Sequence, residues 1–240
     1  VSPEPILVVE DLVAGYGGQP VLRGISIRAN PNEVTVIVGP NGSGKSTLMK
    51  AIVGAIKPTG GRVVLDGRDI TGGEPNQLVR MGVSYVPQLD NVFPSMTVRE
   101  NLEMGAYVSR SGLADRIEAM LTLFPDLRDA AGRGAGTLSG GQRNMLALAR
   151  GLMSSPHLLI VDEPTAGLSP KYEGIVWEHL AMVRAGGVAV LAVEQNTRRA
   201  LAHGDWAYVL VRGERRLEGT GAEFLASEDL AQLYIGGSAH

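Results

Sequence analysis

The chain has 240 residues, of which 44% are hydrophobic and 20% charged, with a formal net charge of −3 and no cysteine. That length and apolar share can bury one large core, and a chain this close to neutral has no overall basic field for nucleic acid or anionic lipid. The absence of cysteine excludes disulfides and thiolate metal sites.

The opening VSPEPILVVED has neither the basic start nor the apolar core of a signal peptide. ILVVEDLVAGY and VLRGISIRA alternate like half-buried antiparallel strands. VTVIVG, residues 34–39, is a continuous apolar run, expected of a strand covered on both faces. STLMKAIVGAI, residues 46–56, reads as a helix stopped by Pro58 and Gly60-Gly61, and GRVVLDGRDI as a hairpin turning at Asp66-Gly67. From about residue 90 to 137 the pattern turns helical, with Leu113, Ile117, Met120, Leu121 and Phe124 on one face. GRGAGTLSGG is a glycine-rich break. QRNMLALARGLMS is a helix, HLLIVDEP a strand, GIVWEHLAMVRAG a helix and VAVLAVEQN a buried strand. The tail offers the hairpin YVLVRGERRLEG and a helix around AEFLASEDLAQLYI. Strand–helix alternation predicts an α/β fold: a mixed core sheet, an N-terminal antiparallel β part and an inserted helical part. One domain over 1–240 divides into a β part (1–33), a phosphate-loop core (34–88), a helical part (89–155) and a remainder (156–240). No run approaches the roughly 20 apolar residues needed to cross a bilayer, so membrane work is expected to go through a partner.

Three segments carry chemistry. Gly39, Pro40, Asn41, Gly42, Ser43, Gly44, Lys45, Ser46 and Thr47 match GxxxxGK(S/T), with a strand before and a helix after. Glycines let successive backbone N–H groups curl around phosphates, and the helix dipole adds partial positive charge. Lys45 would reach the β- and γ-phosphates, and the Ser46 hydroxyl would bind Mg²⁺. LLIVDEP ends a strand in two acids. Downstream of a phosphate loop, Asp162 can hold Mg²⁺ through water and Glu163 can orient the attacking water as base. Leu138-Ser139-Gly140-Gly141-Gln142 starts a helix about 20 residues before that strand. It reads as a second helix N-terminus with bare N–H groups for another phosphate.

With GPNGSGKST, LSGGQ and LLIVDEP in this order, the chain resembles the ATP-binding cassette (ABC) ATPases over essentially its whole length. The resemblance implies ATP and Mg²⁺ as cofactors and hydrolysis to ADP and phosphate. It implies that Tyr16 stacks on adenine, and that Gln88, in SYVPQ, meets Mg²⁺ and senses a membrane subunit. Ser139, Gly140, Gly141 and Gln142 would close over ATP held by the opposite subunit of a homodimer or heterodimer. Two departures stand out: Ser169 replaces the usual Asp of the segment after DEPT, and Gln195 stands where the family has its switch histidine.

VEQN, NVFPSMTVRENL, DEPTAGLSP and a YIGG ending together resemble the LivF-type branch, which serves branched-chain (hydrophobic) amino-acid importers. Urea and amide importers share most of these features. This resemblance implies permease subunits as partners, a solute-binding protein as an indirect one, no nucleic acid, and a place on the cytoplasmic face of the membrane. Val92, Phe93 and Met96 either cover the local core or form a socket for a short helix of the permease. Gln195 would be a neutral donor to the γ-phosphate and Glu163 the sole acid–base group, while Glu194 reads most simply as a solvated or structural acid. His157, His179, His203 and His240 lack metal spacing. A lipopolysaccharide-type exporter ATPase is the nearest rival. One cassette and a modest helical insert argue against ribosomal and DNA-repair cassettes, and LSGGQ against a small-molecule kinase.

Overall fold

Alternation in the first segment builds a hairpin. β1 (Leu7–Tyr16) and β2 (Gln19–Ala29) pair antiparallel across Gly17 and Gly18, whose φ values of 56° and 79° suit a primed two-residue turn. In the computed structural model, which describes residues 4–227, the chain then leaves for β3 (Val34–Val38) and α1 (Lys45–Ile52). It returns with β4 (Gly60–Leu65) and β5 (Arg68–Asp69), giving a four-stranded sheet of order β2-β1-β4-β5. Asp66 and Gly67 make the expected turn, at φ 46° and 72°.

The first helix is shorter than its apolar run. It stops at Ile52, because Gly54 follows at φ 74° and its backbone packs so closely that a Cβ there would lie 1.8 Å from the Gly73 carbonyl oxygen. Pro58 and Gly60-Gly61 are therefore not the stop; the two glycines open β4. Next come α2 (Pro75–Arg80) and β6 (Val83–Val86), elements too short for periodicity to reveal. The helical part holds α3 (Val98–Gly105), α4 (Leu113–Leu123), α5 (Pro125–Arg128) and α6 (Gly140–Leu152). β7 (Leu158–Asp162) and α7 (Pro170–Ala185) follow, α7 starting before the predicted Gly174 because Pro170 suits a helix's first turn. β8 (Ala189–Glu194), α8 (Thr197–His203), β9 (Trp206–Val211), β10 (Glu214–Thr220) and α9 (Gly221–Ala226) complete the described chain. The rest of the predicted last helix, the YIGG ending and His240 lie outside the described residues.

The second sheet has the order β10-β9-β3-β8-β7-β6, parallel except for β10, and β3, β7 and β8 are buried along their whole length. Its side chains sort with period two into two cores. Val36, Val38, Val161, Val190 and Ala192 pack with the helical part, and Leu121 and Phe124 of the predicted α4 face join them. Ile37, Ile160, Leu191 and Val193 pack with α1 and the first sheet. His179 sits in the helical core with its ring nitrogens 2.7 Å from the Ile175 carbonyl and 2.8 Å from that of Leu123, stacked on Phe124. His203 stacks on Trp177. Among the described residues no helix is long and apolar enough to cross a membrane.

Candidate functional site

Four neighbouring parallel strands deliver their C-terminal ends to one edge. The register sets Val38 beside Glu194, Val193 beside Asp162, and Val161 beside Val86. Such an edge is where open α/β sheets hold ligands. Here it gathers the loop from Gly39, the pair Asp162-Glu163, the segment Glu194-Gln195, and Pro87-Gln88.

The Gly39–Thr47 loop is held from below. Gly213 N–H donates to the Ser43 carbonyl at 2.9 Å and accepts at its own carbonyl from Arg23 N–H at 2.8 Å, so the β9–β10 turn and β2 buttress the loop. Glycine is required at Gly39, where a Cβ would lie 2.2 Å from the Leu210 carbonyl oxygen, and at Gly44, which sits at φ 103° against Leu22. Gly44 caps α1 without any side-chain bond. The amides of Lys45, Ser46 and Thr47 donate to nothing among the described residues. Lys45 is buried, and its Nζ donates to the carbonyls of Gly39 at 2.7 Å and Pro40 at 3.1 Å. Burial pushes its ammonium below lysine's usual range, and Glu163, Asp162 and Glu194 oppose that shift. Ser46 is exposed at the loop mouth, as are Asn41 and Gly42. Tyr16 is half exposed at the end of β1, close enough to Tyr85 to act on that phenol's charge.

The two acids differ sharply. Asp162 is buried; its Oδ2 accepts a long 3.3 Å bond from the Tyr85 hydroxyl, and its Oδ1 has no partner among the described residues. Burial holds its carboxyl above the usual range, with Tyr85, Lys50 and Lys45 pulling the other way. An orphaned buried carboxylate oxygen suits a cation. Among the described residues no group of three His, Cys, Asp or Glu gathers for a metal, so other ligands would come from hydroxyls, water and phosphate. Glu163 is half-buried at φ 48°, its N–H bonded to the Val193 carbonyl at 2.9 Å. Gln88 donates through Nε2 to Glu163 Oε2 at 2.7 Å, which leaves the Gln88 amide oxygen free as a ligand.

At the tip of β8, Gln195 is exposed and Asn196 caps α8 by accepting from Arg199 N–H at 3.4 Å. Glu194 is buried at 2% exposure, which overturns the solvated reading. Its Oε1 accepts from Thr165 N–H at 3.1 Å and Thr165 Oγ1 at 2.8 Å, and its Oε2 from Gln195 N–H at 3.2 Å. Burial raises its carboxyl above the usual range, against the pull of those bonds.

Ser139 and Gln142 lie elsewhere, at the start of α6, which packs on α3, α5 and β6. That end is not bare. Ser139 Oγ accepts from Gln142 N–H at 3.2 Å, and Gln142 Oε1 accepts from Ser139 N–H at 3.1 Å, a reciprocal capping box. Only Gly140 and Gly141 keep open amides, and a Cβ at Gly141 would meet the Tyr172 ring at 2.6 Å. From the same helix Asn144 donates to the Pro164 carbonyl at 2.8 Å, linking α6 to the loop beyond Glu163. Ser169 starts α7 with no side-chain cap bond. The apolar trio divides: Val92 packs against the helical core, Met96 is half-buried, and Phe93 stays exposed with Arg150 stacked 4.8 Å from its ring centre. Phe93, Met104, Tyr107 and Arg150 line an open groove of about 330 Å³.

Sequence reasoning missed Tyr85, Thr165 and Asn144. Tyr85 stands three residues before Gln88 on the same short strand end, and Thr165 two after Glu163, so proximity to the motifs was their one signal.

The family model described as ABC transporter matches residues 22–166. The chain is 44% identical over 227 residues to the probable branched-chain amino acid transport ATP-binding protein LivF of Archaeoglobus fulgidus, covering 94% of this chain and 96% of that one. It is 36% identical over 223 residues to the high-affinity branched-chain amino acid transport ATP-binding protein BraG of Pseudomonas aeruginosa, covering 92% and 96%. A crystal structure of a nucleotide-free ATP-binding cassette from an ABC transporter matches with a TM-score of 0.86 at 31% identity, covering 96% and 98% of the two chains.

Proposed function

The chain belongs to the ABC transporter family of ATP-binding cassettes, and on that premise we propose that it is the ATPase subunit powering an importer of branched-chain or other hydrophobic amino acids. The observation that carries the ATPase reading is the convergence at one sheet edge of a buried Lys45, an orphaned Asp162 oxygen and Glu163 held by Gln88. The amino-acid importer reading leans on the names of LivF and BraG, which align over nearly the whole chain.

The open amides of the Gly39–Thr47 loop receive the phosphates, and Tyr16 stacks on the adenine. Lys45 neutralises the β- and γ-phosphates from a site where burial strengthens its field. Ser46 and Asp162, with the Gln88 amide oxygen, hold Mg²⁺, which offsets phosphate charge when bound. Glu163 orients a water and accepts its proton, and Gln195 donates an amide N–H to the γ-phosphate. A second cassette supplies Ser139 to Gln142 across the nucleotide. The Phe93 groove seats a short apolar helix of a permease subunit, which keeps the protein at the cytoplasmic face of the membrane. A solute-binding protein acts on this chain only through that permease.

Phosphate release by the chain assembled with a second cassette and the permease subunits, with Mg²⁺ and ATP, tests the ATPase reading; absence of hydrolysis by an assembly that binds ATP would overturn it. Uptake of labelled leucine by cells lacking the gene, against complemented cells, tests the substrate class. Phe93→Asp should keep nucleotide binding and lose permease capture, and undiminished capture would remove the groove from the interface.

A further inference from the structure

We propose that Glu194 is a positioning residue: its buried carboxylate clamps the loop that carries Glu163 to the backbone of Gln195, so that base and phosphate sensor share one geometry. The inference rests on the ATPase reading and assigns work to a group that reading leaves idle. Glu163 sits in left-handed backbone at φ 48°, a conformation that costs energy for a non-glycine residue and must be held by its surroundings. The tip of β8 holds it on both sides. Val193 accepts from the Glu163 amide, and the next residue, Glu194, accepts through Oε1 from the amide and hydroxyl of Thr165, two residues past Glu163. The other oxygen accepts from Gln195 N–H.

Only a carboxylate does this. All three donors point at Glu194, so both of its terminal atoms must accept. A glutamine there keeps one acceptor oxygen for Thr165 but turns an NH₂ group toward the Gln195 amide, donor against donor. The Gln195 side chain has no hydrogen bond among the described residues, so its backbone is what aims it. Small errors at such a point are expensive, because a displacement of about 1 Å at a reacting centre costs on the order of 10²-fold in rate.

The test uses the chain assembled with a second cassette and the permease subunits, with Mg²⁺ and ATP. Glu194→Gln should lower kcat about 10- to 100-fold, while KM for ATP moves by less than about twofold. Thr165→Val should share that loss, Thr165→Ser should recover turnover, and the double variant Glu194→Gln/Thr165→Val should be no worse than either single one. Amide hydrogen exchange, read without nucleotide, should speed up at Gln195 in Glu194→Gln and at Thr165 in Thr165→Val. Unchanged kcat and exchange in Glu194→Gln would overturn the clamp, as would a loss carried by a raised KM with kcat unchanged. If the wild-type assembly does not hydrolyse ATP, the ATPase reading fails by itself. The exchange pattern then still decides whether Glu194 holds the two segments together.

Discussion

Two helices of this protein begin at glycine-rich segments, and they end differently on the N-terminal side. α1 starts at Gly44 with no side-chain cap, and its first amides face the loop that Gly39 opens. α6 starts at Ser139, whose hydroxyl and Gln142 close a capping box and leave only the Gly140 and Gly141 amides open. The first end leaves the amides of Lys45, Ser46 and Thr47 without acceptors among the described residues, with the Lys45 side chain turned back to the Gly39 and Pro40 carbonyls. The second has closed its Ser139 and Gln142 amides with its own side chains and belongs to the helical part. On the reading proposed above, α1 is the main phosphate site and α6 an accessory one.

The largest test of this contrast is Glu163→Gln. It should reduce hydrolysis by about 10²–10⁴-fold while ATP binding at α1 persists, measured by phosphate release and nucleotide retention. Loss of binding along with hydrolysis would mean that the acid, rather than the loop, organises the cradle. Gln195→Ala should cost about 10²–10³-fold in turnover. The wild-type pH profile should lack a limb near histidine's usual pKa of about 6.5, because an amide does not titrate. Turnover close to wild type in that variant would remove the sensor from the site.

A smaller effect sharpens the α6 side. Ser139→Ala removes the cap and should cost about 1 kcal/mol of stability in a denaturant series. Nucleotide affinity of the dilute isolated chain should stay unchanged; a fall would show that both helix ends serve one nucleotide in one chain. The smallest effect is on pH. Burial holds Asp162 and Glu194 above the ordinary carboxylate range, so their contribution is complete below the unfolded value and is lost as pH rises through the folded one. Stability from these two groups should therefore decline upward from about pH 4, and Glu194→Gln should flatten that decline in melting curves.

GPNGSGKST, LLIVDEP and LSGGQ were legible as motifs because each is a contiguous run whose residue types make sense only together. The long strands were legible for a similar reason: β3 and β8 are unbroken apolar runs. The early end of α1 was hidden, since Gly54 stops the helix through its tight approach to Gly73, a partner far along the chain. The role of Glu194 was hidden too. An acid at the end of a buried strand usually meets solvent, and here Thr165 returns to the same edge and bonds it.

By itself, the sequence determined the local chemistry: which loop can wrap phosphate, which strand ends carry acids, and that an amide that does not titrate, Gln195, follows the buried run VAVLAVE. These depend on residues adjacent in the chain. The tertiary structure alone decided which groups are buried, paired or left without a partner. Glu194 became a clamp, Asp162 kept an unsatisfied oxygen, Gln88 reached Glu163 and Ser139 capped its own helix. Each outcome depends on residues brought from distant strands to one sheet edge, or on a side chain's choice between neighbours, and burial there makes every polar pairing count.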